Sequence, residues 1–106
     1  MSNPEAAFHQ AMLDGYHKLA QLGYRPTYFL RMVQEFGGVG AARRLLEHET
    51  ISEGLERLWE MGRLDLSVEA FVLKPEYAEL FSEEERACAR RLLASLQYRA
   101  PWDVDQ

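Results

Sequence analysis

Apolar residues recur at helical spacing along nearly the whole chain, and turn residues punctuate them. Phe8, Met12, Tyr16 and Leu19, with Ala20 or Leu22, form one stripe of a first helix. Asn3 and Pro4 open it as N-cap and first helical residue, and Gly23 closes it. Gly15 interrupts its interior at a cost of about 1 kcal/mol relative to alanine, which suggests close packing against a neighbouring helix. A second helix is expected from Pro26 or Thr27 to about Glu35, with Tyr28, Phe29, Met32, Val33 and Phe36 on a broad apolar face. Gly37 suits its C-cap. Gly38 and Gly40 then lead into a third helix, with Val39, Ala42, Leu45 and Leu46 turned inward.

The centre of the chain, Gly54 to Leu73, reads as two short amphipathic helices hinged at Gly62-Arg63. Ile51, Leu55, Leu58 and Trp59 share one face. Thr50 and Glu53 have the form of a capping box, with Ser52 a competing N-cap. Gly62 follows the last periodic residues and suits a left-handed C-cap. Asp65 or Ser67 can cap the next helix, where Leu64, Val68, Phe71 and Val72 repeat, and Asp65 and Glu69 lie near its positive end. Pro75 starts a short helix over PEYAELF. Ser82 with Glu85 forms the clearest capping box, and a final helix runs to about Leu96 or Tyr98. On it Ala89, Leu92, Leu93 and Leu96 face inward, with Arg86, Arg90 and Arg91 elsewhere.

These elements predict an all-α fold, a compact bundle of five to seven short helices around a central helix-Gly-helix corner. Residues 1–98 form one domain and 99–106 a short tail, in which Trp102 is placed to dock on the domain or on another subunit. At 106 residues the chain has the length of one domain.

The run GLERLWEMGRLDLSVEAFVLKPEYAELFSEEERACARRLL resembles a small helical module of uncharacterised bacterial proteins, in which a pattern of the type LWE-GRLDLSVEA-VL-PE-LF-EE recurs. The upstream GYRPTYFLRMVQEFGGVGAARRLL fits the same module, so the resemblance spans about Gly23 to Leu93. Such modules occur alone and appended to larger proteins, some of them nuclease-like. The resemblance implies a helical fold and a bacterial setting, and it carries over no activity and no functional residue.

Charge narrows the function. A net charge of −5 and a pI near 5.2 disfavour nonspecific contact with nucleic acid or anionic membrane. Helix, glycine turn, helix is also the outline of a DNA-reading motif, but its second helix offers Asp65, Ser67 and Glu69 where bases and phosphates call for basic and amide groups. The single Cys88 excludes an intrachain disulfide and reads as a structural thiol. No signal peptide and no spanning apolar run is present, so no membrane is expected and the cytoplasm is the default location.

The chemistry-bearing residues give no catalytic signature. His9 and His17 are too far apart along the first helix to share a metal, and with Asp14 they read as a solvated face, Asp14 and His17 being spaced for a local ion pair. Glu60, Asp65 and Glu69 bracket the corner and are read as capping and solubilising charges rather than a cation site. Gly38 and Gly40 ahead of Arg43 and Arg44 outline a turn suited to an anion, without a complete phosphate-loop pattern. Tyr24, Tyr28 and Phe29 crowd one region, and with Trp59 and Trp102 they are the candidate interaction surface. The reading is a non-enzymatic interaction or accessory module, without cofactor or metal, that binds a protein partner or itself. The alternative is a nucleic-acid-binding protein using Arg25, Arg31, Arg43 and Arg44.

Overall fold

The computed structural model describes residues 3–103. Among them are α1 (Pro4–Gln21), α2 (Thr27–Glu47), α3 (Glu53–Met61), α4 (Val68–Val72) and α5 (Glu83–Ser95), with 3-10 turns at Leu64–Leu66 and Pro75–Leu80. The fold is all-α, with no strand among the described residues. No helix there is long and apolar enough to cross a membrane.

Local chemistry accounts for the helix starts. The Asn3 side chain accepts from the backbone N–H groups of Glu5 and Ala6. Ser52, not Thr50, caps α3 by accepting from Leu55 N–H at 3.1 Å, and Ser67 caps α4 by accepting from Ala70 N–H. At α5 the box is complete: Glu85 N–H donates to Ser82, and Ser82 N–H donates to the Glu85 carboxylate at 2.8 Å.

Three helices end with the same six-residue closure, in which the N–H after a left-handed residue reaches back five positions. Tyr24 donates to Leu19, Arg63 to Leu58 and Tyr98 to Leu93. Gly23 and Gly62 supply the left-handed residue twice; the third is Gln97, at φ 63°. The closure at Gly62 makes the central corner. Beyond it the second arm is shorter than its periodicity suggests, a 3-10 turn followed by the five residues of α4.

The second and third predicted helices are nearly continuous. The expected glycine turn contracts to one non-helical residue, Gly37, at φ 78° and ψ 166°. Helix resumes at once because Gly38 is pressed against α1. A Cβ at Gly38 would stand 2.6 Å from His9 Cα. Its N–H donates to His9 Nδ1 at 3.0 Å, giving the broken helix a partner for an amide left bare. His9 is therefore a half-buried junction residue rather than part of a solvated face. The neighbouring Asp14 accepts from Gln10 at 3.0 Å instead of pairing with His17.

The core gathers Phe8, Met12 and Leu19 of α1, Val33, Ala42 and Leu46 of α2, Leu55 and Leu58 of α3, Val72 of α4, and Cys88, Ala89, Leu92 and Leu93 of α5. Phe8 is fully buried and meets Tyr77 and Phe81 edge-on, with ring centroids 5.0 and 5.1 Å away. These contacts bind α1 to the Pro75–Leu80 turn. Residues 99–103 are integrated into the domain instead of trailing from it. Ala100 and Asp103 are buried. The Trp102 indole N–H donates to Ala70 O at 2.7 Å. Arg90, expected to point away, donates to both Asp103 oxygens at 2.7 and 3.2 Å. The tail residues 104–106 lie outside the described residues.

The Gly38 junction predicts a large effect from a small substitution. Gly38→Ala should destabilise the domain by about 1–3 kcal/mol, because the methyl group meets backbone that must shift, and urea denaturation should show the midpoint falling with an unchanged slope.

Candidate functional site

A cleft of about 470 Å³ opens between α1, the start of α2, the start of α3 and the corner leading into α4. From α1 it takes Ala11, Met12, Gly15, Tyr16 and Leu19, and from the α1–α2 connection Tyr24, Arg25 and Pro26. Thr27, Tyr28, Phe29 and Met32 of α2 form a second wall, and residues 52–55 with Leu58 a third. Leu66, Val68, Glu69 and Phe71 complete it. Most of this surface is carbon, the composition expected of a binding cleft.

Helix geometry delivers these side chains. Met12, Gly15 and Leu19 share the buried face of α1. Gly15 does not mark close packing as expected: a Cβ built on it would have nothing within 4 Å. The helix gives up propensity there, and the space left belongs to the cleft. Tyr24 is held over α3, with the Arg57 guanidinium 5.7 Å from its ring centre. Burial raises the pKa of its hydroxyl, with Arg57 opposing and Glu53 adding to the rise. Tyr28 is 72% exposed, a large aromatic standing in solvent at the mouth.

Glu69 is the polar feature of the cleft. The sequence suggests a capping charge on the surface; the structure buries it to 4% exposure. Ser67 starts α4 two residues earlier, and α4 packs on α2 and α5, so this register turns Glu69 inward with Ala70 and Val72. None of the ion pairs among the described residues includes it. Burial pushes its carboxyl up to about 7, opposed by a hydrogen bond from its own backbone N–H.

The other predicted site residues lie elsewhere or are already engaged. Gly38 N–H is taken by His9, so the glycine turn does not present it to an anion. A Cβ on Gly40 would stand 3.0 Å from Phe36 Cβ. Arg43 donates to Leu80 O at 2.7 Å and lies 3.4 Å from Glu85, whereas Arg44 lies over the Phe36 ring at 3.7 Å. Arg31 is exposed on the first half of α2. Of the four arginines only Arg25 reaches the cleft. Trp59 is half exposed on α3 and outside the cleft, while Trp102 is docked beside it, its ring 6.3 Å from Phe71. The cleft therefore unites Tyr24, Tyr28 and Phe29 and leaves Trp59 and Trp102 out.

No group of three or more His, Cys, Asp or Glu among the described residues is placed to hold a metal ion. Cys88 is buried, its thiol 3.5 Å from Leu46 O, and burial pushes its pKa up, which disfavours the reactive thiolate. Comparison with family models, curated proteins and solved structures found no match to this chain.

Glu69 has a sequence signal: it is the single charge between Asp65 and Lys74, inside LSVEAFVL. Its pKa also sets a pH dependence. A carboxyl raised in the folded state binds more protons there than in the unfolded chain, so its contribution lowers stability as pH rises from about 4.5 through about 7. Glu69→Gln should therefore stabilise the domain by roughly 3 kcal/mol at pH 8 and by little at pH 4.5. Urea melts of both proteins at the two pH values measure this; an equal difference at both would place the Glu69 carboxyl in water.

Proposed function

We propose that the chain is a non-enzymatic binding module of the bacterial cytoplasm. It works through the cleft between α1, α2, α3 and α4 and receives side chains of a protein partner, another protein or a second copy of itself. One observation carries the reading. Gly15 stands in the middle of α1 with open space where its Cβ would be, at a cost of about 1 kcal/mol in helix stability that no contact requires. The glycine keeps the cleft open. Tyr24, Tyr28 and Phe29 give the opening an aromatic border suited to a partner's apolar groups. The arginine-based alternative has less behind it, because Arg43 and Arg44, though exposed, already hold partners within the domain.

The test fills the cleft without unfolding the protein. Gly15→Ala should raise stability by about 1 kcal/mol, and Gly15→Leu should remain folded while occupying the space. A peptide-display selection against the wild-type domain, with Gly15→Leu as counter-selection, should recover sequences that bind only the open form. Peptides that bind both forms equally would remove the cleft from the function. Light scattering over a dilution series assigns the partner: a mass that falls on dilution, and that Gly15→Leu holds at the monomer throughout, identifies a second copy.

A further inference from the structure

We propose that the group seated in the cleft is the alkylammonium side chain of a lysine carried by the protein partner, its charge meeting the Glu69 carboxylate. The inference rests on the cleft being the binding site and adds the chemistry of its occupant. Glu69 is 96% buried by its 4% exposure, lines the cleft and has no ion-pair partner among the described residues. A buried carboxylate without a counter-ion is costly, and a cation brought by a partner relieves that cost.

The surroundings suit an ammonium on a carbon stem. Tyr16, Tyr24, Phe29 and Phe71 put aromatic rings around the cleft, and ring faces attract cations. The domain already makes this kind of contact beside the cleft, with Lys74 Nζ 4.6 Å from the centre of the Phe71 ring and 4.6 Å from that of Trp102. The carbon-rich walls match the four-carbon stem of lysine. An arginine would bring five N–H donors into a space whose one buried polar side chain is Glu69, fewer acceptors than its fork of donors calls for. The other charged groups of the cleft, Arg25 and Glu53, are both exposed at its edge and opposite in sign, so Glu69 sets the charge of the interior.

The probes are n-hexylammonium, 1-hexanol and hexanoate, which share a tail and differ in the head, titrated into ¹⁵N-labelled protein at pH 8 and followed by amide shifts. Hexylammonium should bind about tenfold or more tighter than hexanol, the least expected of a hydrogen bond to a desolvated charge. Glu69→Gln should abolish that preference while keeping its fold. Equal binding of the ammonium and the alcohol, both lost in Gly15→Leu, would overturn the lysine inference and leave the cleft reading standing. Preference for hexanoate would overturn it too, pointing to Glu69 as a proton donor. A blocked pentapeptide with one central lysine, compared with the same peptide Nζ-acetylated, then tests the source. Loss of binding on acetylation supports a lysine side chain, and binding of hexylammonium without binding of either peptide overturns it in favour of a free amine.

Discussion

The contact between Gly38 and the backbone of α1 at His9 is the constraint on which the rest of the domain depends. Two helices can approach this closely only where one of them lacks a side chain. The price of bringing them together is the break at Gly37, and the break leaves a backbone amide unpaired until the His9 imidazole accepts from it. Steric fit and hydrogen bond act at one point, so neither helix can slide without losing both. From this point α1 and α2 run antiparallel to the far end, where Gly15 to Leu19 lie near Thr27 to Met32. There the two helices enclose the cleft with the central corner instead of closing on each other.

The corner supplies the remaining walls for a related reason. The left-handed Gly62 ends α3 and lets the chain reverse through Leu64–Leu66 into α4. Ser67, itself buried, accepts from Ala70 N–H and donates to Leu64 O at 2.7 Å, which locks the register of a helix only five residues long. That register decides which side chains α4 turns inward, Glu69 included. Trp102 then covers the same helix from outside through its bond to Ala70 O, so the C-terminal residues stabilise the element that carries the buried carboxyl.

Much of this architecture can be read from the sequence, because caps and periodicity are local. Asn3, Gly23, Gly62 and the Ser82–Glu85 box each declare themselves within a few residues, and each does in the structure what its chemistry suggests. The crowding of Tyr24, Tyr28 and Phe29 is visible in the same way. What the sequence conceals depends on distant partners. His9 looks solvated until Gly38 is brought against it from 29 positions away. Arg90 looks turned away from the domain until the chain end folds back on α5, and Trp102 announces a docking role without showing that α4 is what it docks on. Glu69 is the sharpest case: an acidic residue two positions after a Ser cap is ordinary helix-start chemistry, and the local pattern satisfies itself without revealing that α2 and α5 cover this side of α4. Gly15 is ambiguous in sequence for a similar reason, since close packing and an open cleft call for the same residue.

Three departures from local stability meet at one place. Gly15 weakens a helix with no neighbour that requires its smallness. Glu69 carries a carboxyl into the interior without a cation to meet it. Tyr28 leaves a large aromatic ring in solvent. Scattered over the surface, such costs would be the ordinary slack of a marginally stable domain. Gathered around a single cavity, they share a cause, because sequences depart from structural consistency chiefly where function requires it. Packing cannot be that cause, since each of the three makes the packing poorer. The proposed occupation by a partner would account for all three at once. It would fill the space beside Gly15, cover the ring of Tyr28 and bring Glu69 the charge that the domain withholds.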